Sequence, residues 1–503
     1  DGVALAREVA TRSFVLAANR GETLPLDVST LSSVALIGLG AKEARVLGGG
    51  SATVFPEHVV SPLEGLTAAL DGRASLTYAI GIDPRTRLPA AAGPAWSGLT
   101  ATFRDGDDET MLTTPMPSGA GWWMELPDGV EPERLASVEI SGRLTAAVGG
   151  RHQLGIRGIG EFTLMAGDQK LFDEAVWPDV SDIAVLFLAP PENRVGLTLA
   201  AGQSVDVSLR QQVTLQPGFA VVSLTLGYSE PLADADELLA EAERVAAASD
   251  IAVVVVGTTN EVESEGFDRT SLALPGRQDE LVRRVAAANP ATVVVVNAGS
   301  PVELPWADDV AAVLLTWFPG QEAGHALADV LFGAEEPGGR MPTTWPVSEA
   351  DCPILDTTPV GGIVAYDEGV FIGYRAWDRG SVAPRYAFGH GLGYTSWNYE
   401  SMAVDGRRVT VTVRNTGSRP GREVVQCYVA PIDADPARPR RWLAGFAVVT
   451  ADPDGSATAT IDVPDRAFQI WAESAWRTAA GRYEITVAHS IAEPRLSKTI
   501  TIG

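Results

Sequence analysis

Residues 251–256 read IAVVVV, end in Gly257 and run into three glutamates within five positions, Glu261, Glu263 and Glu265. A run of this kind, mostly β-branched, fits a buried strand better than a helix. Such a strand lies inside a sheet, and the loop after it carries carboxylates to the sheet's carboxyl edge, where open α/β folds bind ligands. A carboxylic acid held there is a candidate general acid/base. A solvated acidic turn is the alternative reading of the same residues.

The β/α rhythm continues on both sides. Apolar positions at helical spacing over 3–20 predict a helix stopped by Asn19-Arg20-Gly21. Residues 34–37 predict a strand closed by Gly38-Leu39-Gly40, and Ser61-Pro62 opens a helix through Leu70. Beyond residue 232 the pattern predicts helix 233–247, strand 251–256, helix 277–288, strands 292–297 and 313–317, and helix 323–331. This alternation implies a mostly parallel sheet with helices on both faces.

Between about 95 and 228 the helical period gives way to short alternating stretches at 137–140, 153–156, 161–165, 195–199, 204–209 and 221–226. They predict an antiparallel β-sandwich inserted at an exposed loop of the α/β domain. Trp122 and Trp123 are expected in its core rather than on a sugar-stacking surface. The expected organisation is α/β over 1–88 and 229–350, the insert over 89–228, a connector over 351–396, and a second β-sandwich over 397–503.

Composition excludes several function classes. The 503 residues carry a net charge of −26, which repels phosphate backbones and anionic lipid, so neither nucleic acid nor membrane is an expected partner. No run of 18 apolar residues is present to span a bilayer. Two cysteines, Cys352 and Cys427, and five scattered histidines offer neither a disulfide framework nor metal-ligand spacing. Gly38-Leu39-Gly40 resembles the start of a dinucleotide fingerprint, but Glu43 stands where the third glycine belongs, so a nucleotide-dependent enzyme is disfavoured and no cofactor is expected. Gly50-Ser51-Ala52-Thr53 lacks the last glycine of a nucleophile elbow. The sequence opens on Asp1 without a visible signal segment, which leaves a soluble cytoplasmic and a secreted protein both open.

Trp317, Phe318 and Glu322 follow a strand, where they line a pocket mouth or form a structural turn. Tyr366-Asp367-Glu368 and Gly373-Tyr374-Arg375 suit a polyol, or equally pin the connector.

Seven segments occur in a telling order: VESEGFDR (262–269), LALPGRQDELV (272–282), NAGSPVELPW (297–306), WFPGQEAGHALADVLFG (317–333), EPGGRMPTTWP (336–346), YDEGVFIGYR (366–375) and YAFGHGLGYT (386–395). Together they resemble the carboxyl-terminal half of glycoside hydrolase family 3, the β-glucosidase group. The fold class this implies is α/β plus all-β. An (αβ)6-sandwich is interrupted by a protective-antigen-like β-sandwich and followed by a fibronectin type III-like β-sandwich. Two departures stand out: Gly338 replaces the serine of P-S-G-R-L, with Met341 for its leucine, and His489 stands where many members have glycine.

In that family an amino-terminal barrel supplies an aspartate nucleophile from an S-D-W-like motif. No such motif occurs here, so the resemblance implies a barrel domain or a separate chain as partner. The reaction implied is retaining hydrolysis of terminal β-D-glucosyl residues, with a β-glucoside or oligosaccharide as substrate. Its two carboxyls sit about 5–5.5 Å apart. Counting back from Gly266-x-Asp268-Arg269 selects Glu265 as the acid/base; counting forward from Gly257 selects Glu263. Glu265 is favoured, with Glu263 orienting or shielding it. Asp268 and Arg269 are expected to form a loop-fixing salt bridge, and Trp317 and Phe318 to bind substrate. Oligomeric state, including a homo-oligomer, is left open. A non-catalytic carbohydrate-binding or scaffold protein built from the same modules is the competing reading.

Overall fold

The computed structural model describes residues 2–54, 56–177, 190–213, 222–265, 268–354, 357–433 and 435–503. Its centre is a six-stranded sheet made of β1 (Val15–Asn19), β2 (Ser33–Ile37), β3 (Ser75–Ala79), β4 (Ile251–Gly257), β5 (Thr292–Asn297) and β6 (Ala312–Leu315). The order across the sheet is β1-β6-β5-β4-β2-β3. β1 runs antiparallel to β6 and the remaining pairs are parallel.

β4 and β5 are buried on both faces, and their alternation sorts side chains into two cores. Val253 and Val255 face α1 (Gly2–Ser13), α2 (Pro62–Leu70) and α5 (Ala323–Leu331), packing with Leu66, Leu70 and Leu327. Val254 and Val256 face α3 (Ala235–Ala247) and α4 (Gln278–Ala288), packing with Leu239, Leu281 and Val285. The start of α2 is fixed by a Ser61–Glu64 capping box with Pro62 in the first turn, where proline's missing N–H costs nothing.

The first helix is shorter than its periodicity predicts. It ends at Ser13, and Val15–Asn19 is a strand paired with β6. Phe14-Val15-Leu16-Ala17-Ala18 is apolar at every position, so its pattern fits either element. The open edge of β6 decides the matter by supplying backbone partners that a helix would leave unpaired.

β2 leads to β3 on one side of the sheet, while β4 leads to β5 and β6 on the other. The direction in which successive strands are added across the sheet therefore reverses between the parallel neighbours β2 and β4, and a crevice opens beyond their carboxyl ends. Gly38 closes β2 at φ +114°, where an added Cβ would lie 2.1 Å from the Val255 carbonyl oxygen. That close approach to β4 explains the Gly-Leu-Gly turn without a dinucleotide.

The segment between β3 and α3 is a two-sheet antiparallel sandwich, with one sheet of six strands and one of four. The expected 221–226 stretch appears as Val222–Ser229; residue 221 lies outside the described residues. The tryptophan pair divides across strand Ala120–Trp123 as period 2 requires. Trp123 is partly buried and packs edge-on against Phe103 of the core, whereas Trp122 is 49% exposed, so only one of the two packs on the core and neither is fully buried in it. Glu192 anchors the sandwich to the α/β domain's linker, accepting from the Leu88 N–H at 3.0 Å and pairing with Arg157 at 3.0 Å.

The terminal sandwich packs a three-stranded sheet, Trp397–Asp405, Arg408–Asn415 and Ser456–Asp462, against a four-stranded one. One of its ties to the α/β domain is a buried carboxylate. Glu423 accepts from the Tyr399 hydroxyl at 2.8 Å, bonds His489 Nδ1 at 2.7 Å and pairs with Arg340 at 3.3 Å. His489, one of the departures from the family pattern, thus has a structural partner. Among the described residues no helix is long and apolar enough to cross a membrane.

Candidate active site

The acidic loop leaves β4 at the crevice between β2 and β4. Thr258 is buried, and a tight turn follows in which the Glu263 N–H donates to the Thr259 carbonyl at 3.0 Å. This turn sends the two candidate glutamates in different directions.

Glu263 points back into the protein. It accepts from the Thr258 hydroxyl at 2.5 Å, the Ser300 hydroxyl at 2.5 Å and the Gly299 N–H at 3.1 Å, and stands 3.5 Å from an Arg45 nitrogen. Burial pushes its pKa up, but the bonds from Ser300, Thr258 and Gly299 and the Arg45 charge outweigh burial and hold it below the ordinary carboxylate value. A carboxylate so occupied is an anchor and a poor proton donor.

Glu265 points outward. It is exposed and accepts from the Ser51 N–H, which holds its carboxyl below the ordinary value. Ser51 belongs to the Gly48-Gly49-Gly50-Ser51 loop. Gly50 sits at φ +64°, and a Cβ there would lie 2.4 Å from Glu265 Cβ. Glycine is required at this point both by the backbone conformation and by contact with the candidate acid. The two glutamates therefore do not face one another.

The remaining expectations divide. Asp268 and Arg269 do not fix the loop by pairing. Asp268 is exposed, while Arg269 donates to the Ser300 hydroxyl at 2.8 Å and the Pro301 carbonyl at 3.0 Å, with its charge toward Glu263 and Glu349. The buried network around Ser300 attracts the guanidinium more strongly than a solvated neighbour does. Gly266 and Phe267, used to count along the loop, lie outside the described residues.

Trp317 adopts φ +53° and leans on Trp345 at 6.0 Å between centroids, and its indole N–H donates to the Ser13 carbonyl at 3.0 Å. The hydrogen-bonding end of that ring is thus committed to the protein. Phe318 carries the Arg45 guanidinium over its ring at 4.4 Å, so one face of it is covered. Glu322 lies at no pocket mouth. It is 1% exposed and bonded to His58 at 2.6 Å and His325 at 2.8 Å, pinning the start of α5 to His58. Tyr374 stacks on Phe388 at 4.4 Å between centroids and pins the connector, whereas Tyr366 is 78% exposed.

Sequence reasoning overlooked Arg45, Thr258, Asn297 and Ser300. Asn297 left a signal, being a lone polar residue at the carboxyl end of an otherwise valine-rich strand. Its amide donates to the Arg45 carbonyl at 2.9 Å and the Trp317 carbonyl at 2.5 Å. Arg45 left none, because all its partners but Gly48 come from distant parts of the chain. Beside this network a cleft of about 590 Å³ opens between the sheet edge and the inserted sandwich. Leu39, Arg85, Arg87, Arg157, Glu261 and Asn297 are among its lining residues. Among the described residues, no group of three or more His, Cys, Asp and Glu is placed to hold a metal ion.

Residues 14–394 match the Glycosyl hydrolase family 3 C-terminal domain, and residues 423–491 match the Fibronectin type III-like domain. A beta-glucosidase of Rhizobium radiobacter is 36% identical over 521 residues, covering 99% of this chain and 62% of the relative. Beta-glucosidase B of Emericella nidulans is 34% identical, covering 97% and 61%. The chain thus spans about three-fifths of the length of these curated relatives. Among solved structures, beta-glucosidase from Kluyveromyces marxianus in complex with glucose superposes with a TM-score of 0.90 at 29% identity, covering 99% of this chain and 62% of that one. A beta-glucosidase from Streptomyces venezuelae in complex with D-glucose gives 0.70 at 29% identity, covering 100% and 60%.

Proposed function

The chain belongs to glycoside hydrolase family 3, and from that premise we propose that it is the acid/base-supplying part of a retaining, β-glucosidase-like enzyme. Its substrates are β-glucosides or oligosaccharides with a terminal non-reducing β-D-glucosyl residue. The nucleophilic carboxylate comes from a β/α-barrel facing the 258–265 loop, on the same polypeptide or on another. Glu265 is the acid/base and Glu263 is the anchor that orients the loop.

One observation carries this reading. Of the two candidates at the switch-point crevice, Glu263 is saturated with donors while Glu265 is exposed and bound by the Ser51 N–H. In the first step Glu265 gives its proton to the leaving oxygen as the barrel carboxylate attacks the anomeric carbon. In the second it takes a proton from the water that releases the sugar. The acid form needs a raised pKa. The Ser51 N–H works against that by favouring the carboxylate. A docked barrel changes the balance by excluding water and bringing a second negative charge close.

The test compares the chain alone, the protein with its barrel, and two variants of the latter on a nitrophenyl β-glucoside. The chain alone is expected to be inactive. Glu265→Gln is expected to lower turnover by about 10²–10⁴-fold, the usual weight of a general acid/base. Full activity in a Glu263→Gln/Glu265→Gln double variant overturns the assignment.

A further inference from the structure

The side chain that touches most of this site is a cation. Arg45 lies in the irregular segment beyond the short helix Leu39–Lys42 that follows β2, and its side chain is 11% exposed. Its guanidinium donates to the Thr258 hydroxyl at 2.9 Å, to the Gly48 carbonyl at 2.9 Å and to the main-chain carbonyl of Glu263. Its plane covers Phe318 at 4.4 Å. Its own N–H donates to Asn297 Oδ1 at 3.0 Å, and Asn297 returns a bond to its carbonyl. One residue thereby joins the segment after β2, the loops that follow β4 and β6, and the carboxyl end of β5.

We propose that Arg45 is the positioning residue for the acid/base loop, a role that rests on the reading of Glu265 given above. The Glu263 carbonyl lies two residues before Glu265, so fixing it fixes where the acid's side chain begins. Thr258 closes a ring by accepting from Arg45 and donating to the Glu263 carboxylate. The Gly48 carbonyl, bonded to the same guanidinium, belongs to the loop that supplies the Ser51 N–H to Glu265. Both walls around the acid are therefore set from one fork. Arg45 acts on the acid through these loop groups. A planar fork with five donors can span carbonyls on two loops while stacking on a ring; the compact ammonium of lysine cannot.

The experiment uses the protein with its barrel and measures kcat and KM for aryl β-glucosides with good and poor leaving groups. The variants are Arg45→Lys, Arg45→Ala and Thr258→Val, with Glu265→Gln alongside. Misplacing a catalytic group by about 1 Å costs on the order of 10²-fold. Arg45→Lys is thus expected to lower kcat by about 10–100-fold for poor leaving groups, with a smaller loss for good ones and KM nearly unchanged. Low millimolar guanidinium is expected to restore part of the rate in Arg45→Ala. Thr258→Val breaks the ring while leaving Arg45 in place, and should show the same leaving-group dependence if the arginine variants fail to fold.

Arg45→Lys activity within about twofold of the parent, or an equal loss for every leaving group, overturns the proposal; for variants that do not fold, Thr258→Val decides by the same two criteria. If Glu265→Gln is fully active, the functional reading itself fails. If Glu265→Gln is inactive and Arg45→Lys is not, only the positioning role fails.

Discussion

Replacing Glu263 with alanine removes the acceptor that three donors share and the carboxylate that Arg45 pairs with. Each hydrogen bond to a charged group is worth about 1.5–3 kcal/mol, but three donors converging on one carboxylate do not add. Breaking a largely buried ion pair by deleting one partner costs about 3–5 kcal/mol. Glu263 is 15% and Arg45 11% exposed at the side chain, and the pair is long at 3.5 Å, so the lower end applies, about 3 kcal/mol. Glu263→Gln keeps the volume and one acceptor oxygen and should cost about 1–2 kcal/mol.

The sign of the pH dependence follows from the depressed pKa of Glu263 in the fold. Its contribution is complete above the unfolded value of about 4.3 and is lost as pH falls through the lower folded value. The stability gap between parent and Glu263→Gln is therefore full at neutral pH and closes below about pH 4. Urea unfolding of the α/β domain measures the gap, and hydrogen exchange over the segments 251–265 and 292–301 localises it. A Glu263→Ala variant within about 0.5 kcal/mol of the parent, or a Glu263→Gln gap unchanged between neutral and acid pH, would refute the anchoring argument.

Other sites give sharper contrasts. Gly50→Ala is expected to cost about 1–2 kcal/mol from the left-handed backbone alone and to lower turnover by displacing Glu265, read from melting and rate assays on the same preparation. Glu423→Ala leaves Arg340 without its buried carboxylate partner. It should cost about 3–5 kcal/mol and expose the junction with the terminal sandwich to limited proteolysis. Trp122→Ser should change stability by less than about 0.5 kcal/mol, whereas Trp123→Ala, which removes the edge contact to Phe103, should cost several times more; chemical denaturation separates the two.

Much of the architecture is legible in the sequence because periodicity and burial agree there. β5 and α5 fall on their expected residues, since an all-buried valine strand and a helix with a wide apolar face leave few alternatives. The sequence was ambiguous where a short apolar run fits two elements, as at Val15–Asn19, where the edge of β6 selected the strand. At the site, the position of the acidic loop was legible from a strand emptying into glutamates. The division of labour within it was not, because what separates Glu263 from Glu265 is Ser300, Gly299 and Arg45. Those residues lie up to 218 positions away in the chain. The expected Asp268–Arg269 bridge failed for the same reason, since adjacency in sequence says nothing about the Ser300 and Pro301 oxygens that Arg269 meets in space.

The central claim is that the exposed carboxylate after β4 protonates the leaving group. Its most direct test is the leaving-group dependence of kcat/KM in the barrel-bearing protein with Glu265→Gln, beside Glu263→Gln. A substrate whose leaving group departs unaided should be nearly as fast as in the parent, while an alkyl or sugar leaving group should lose about 10²–10⁴-fold, and only for the Glu265 variant. A flat dependence for Glu265→Gln, or the steep one appearing in Glu263→Gln instead, would contradict the account.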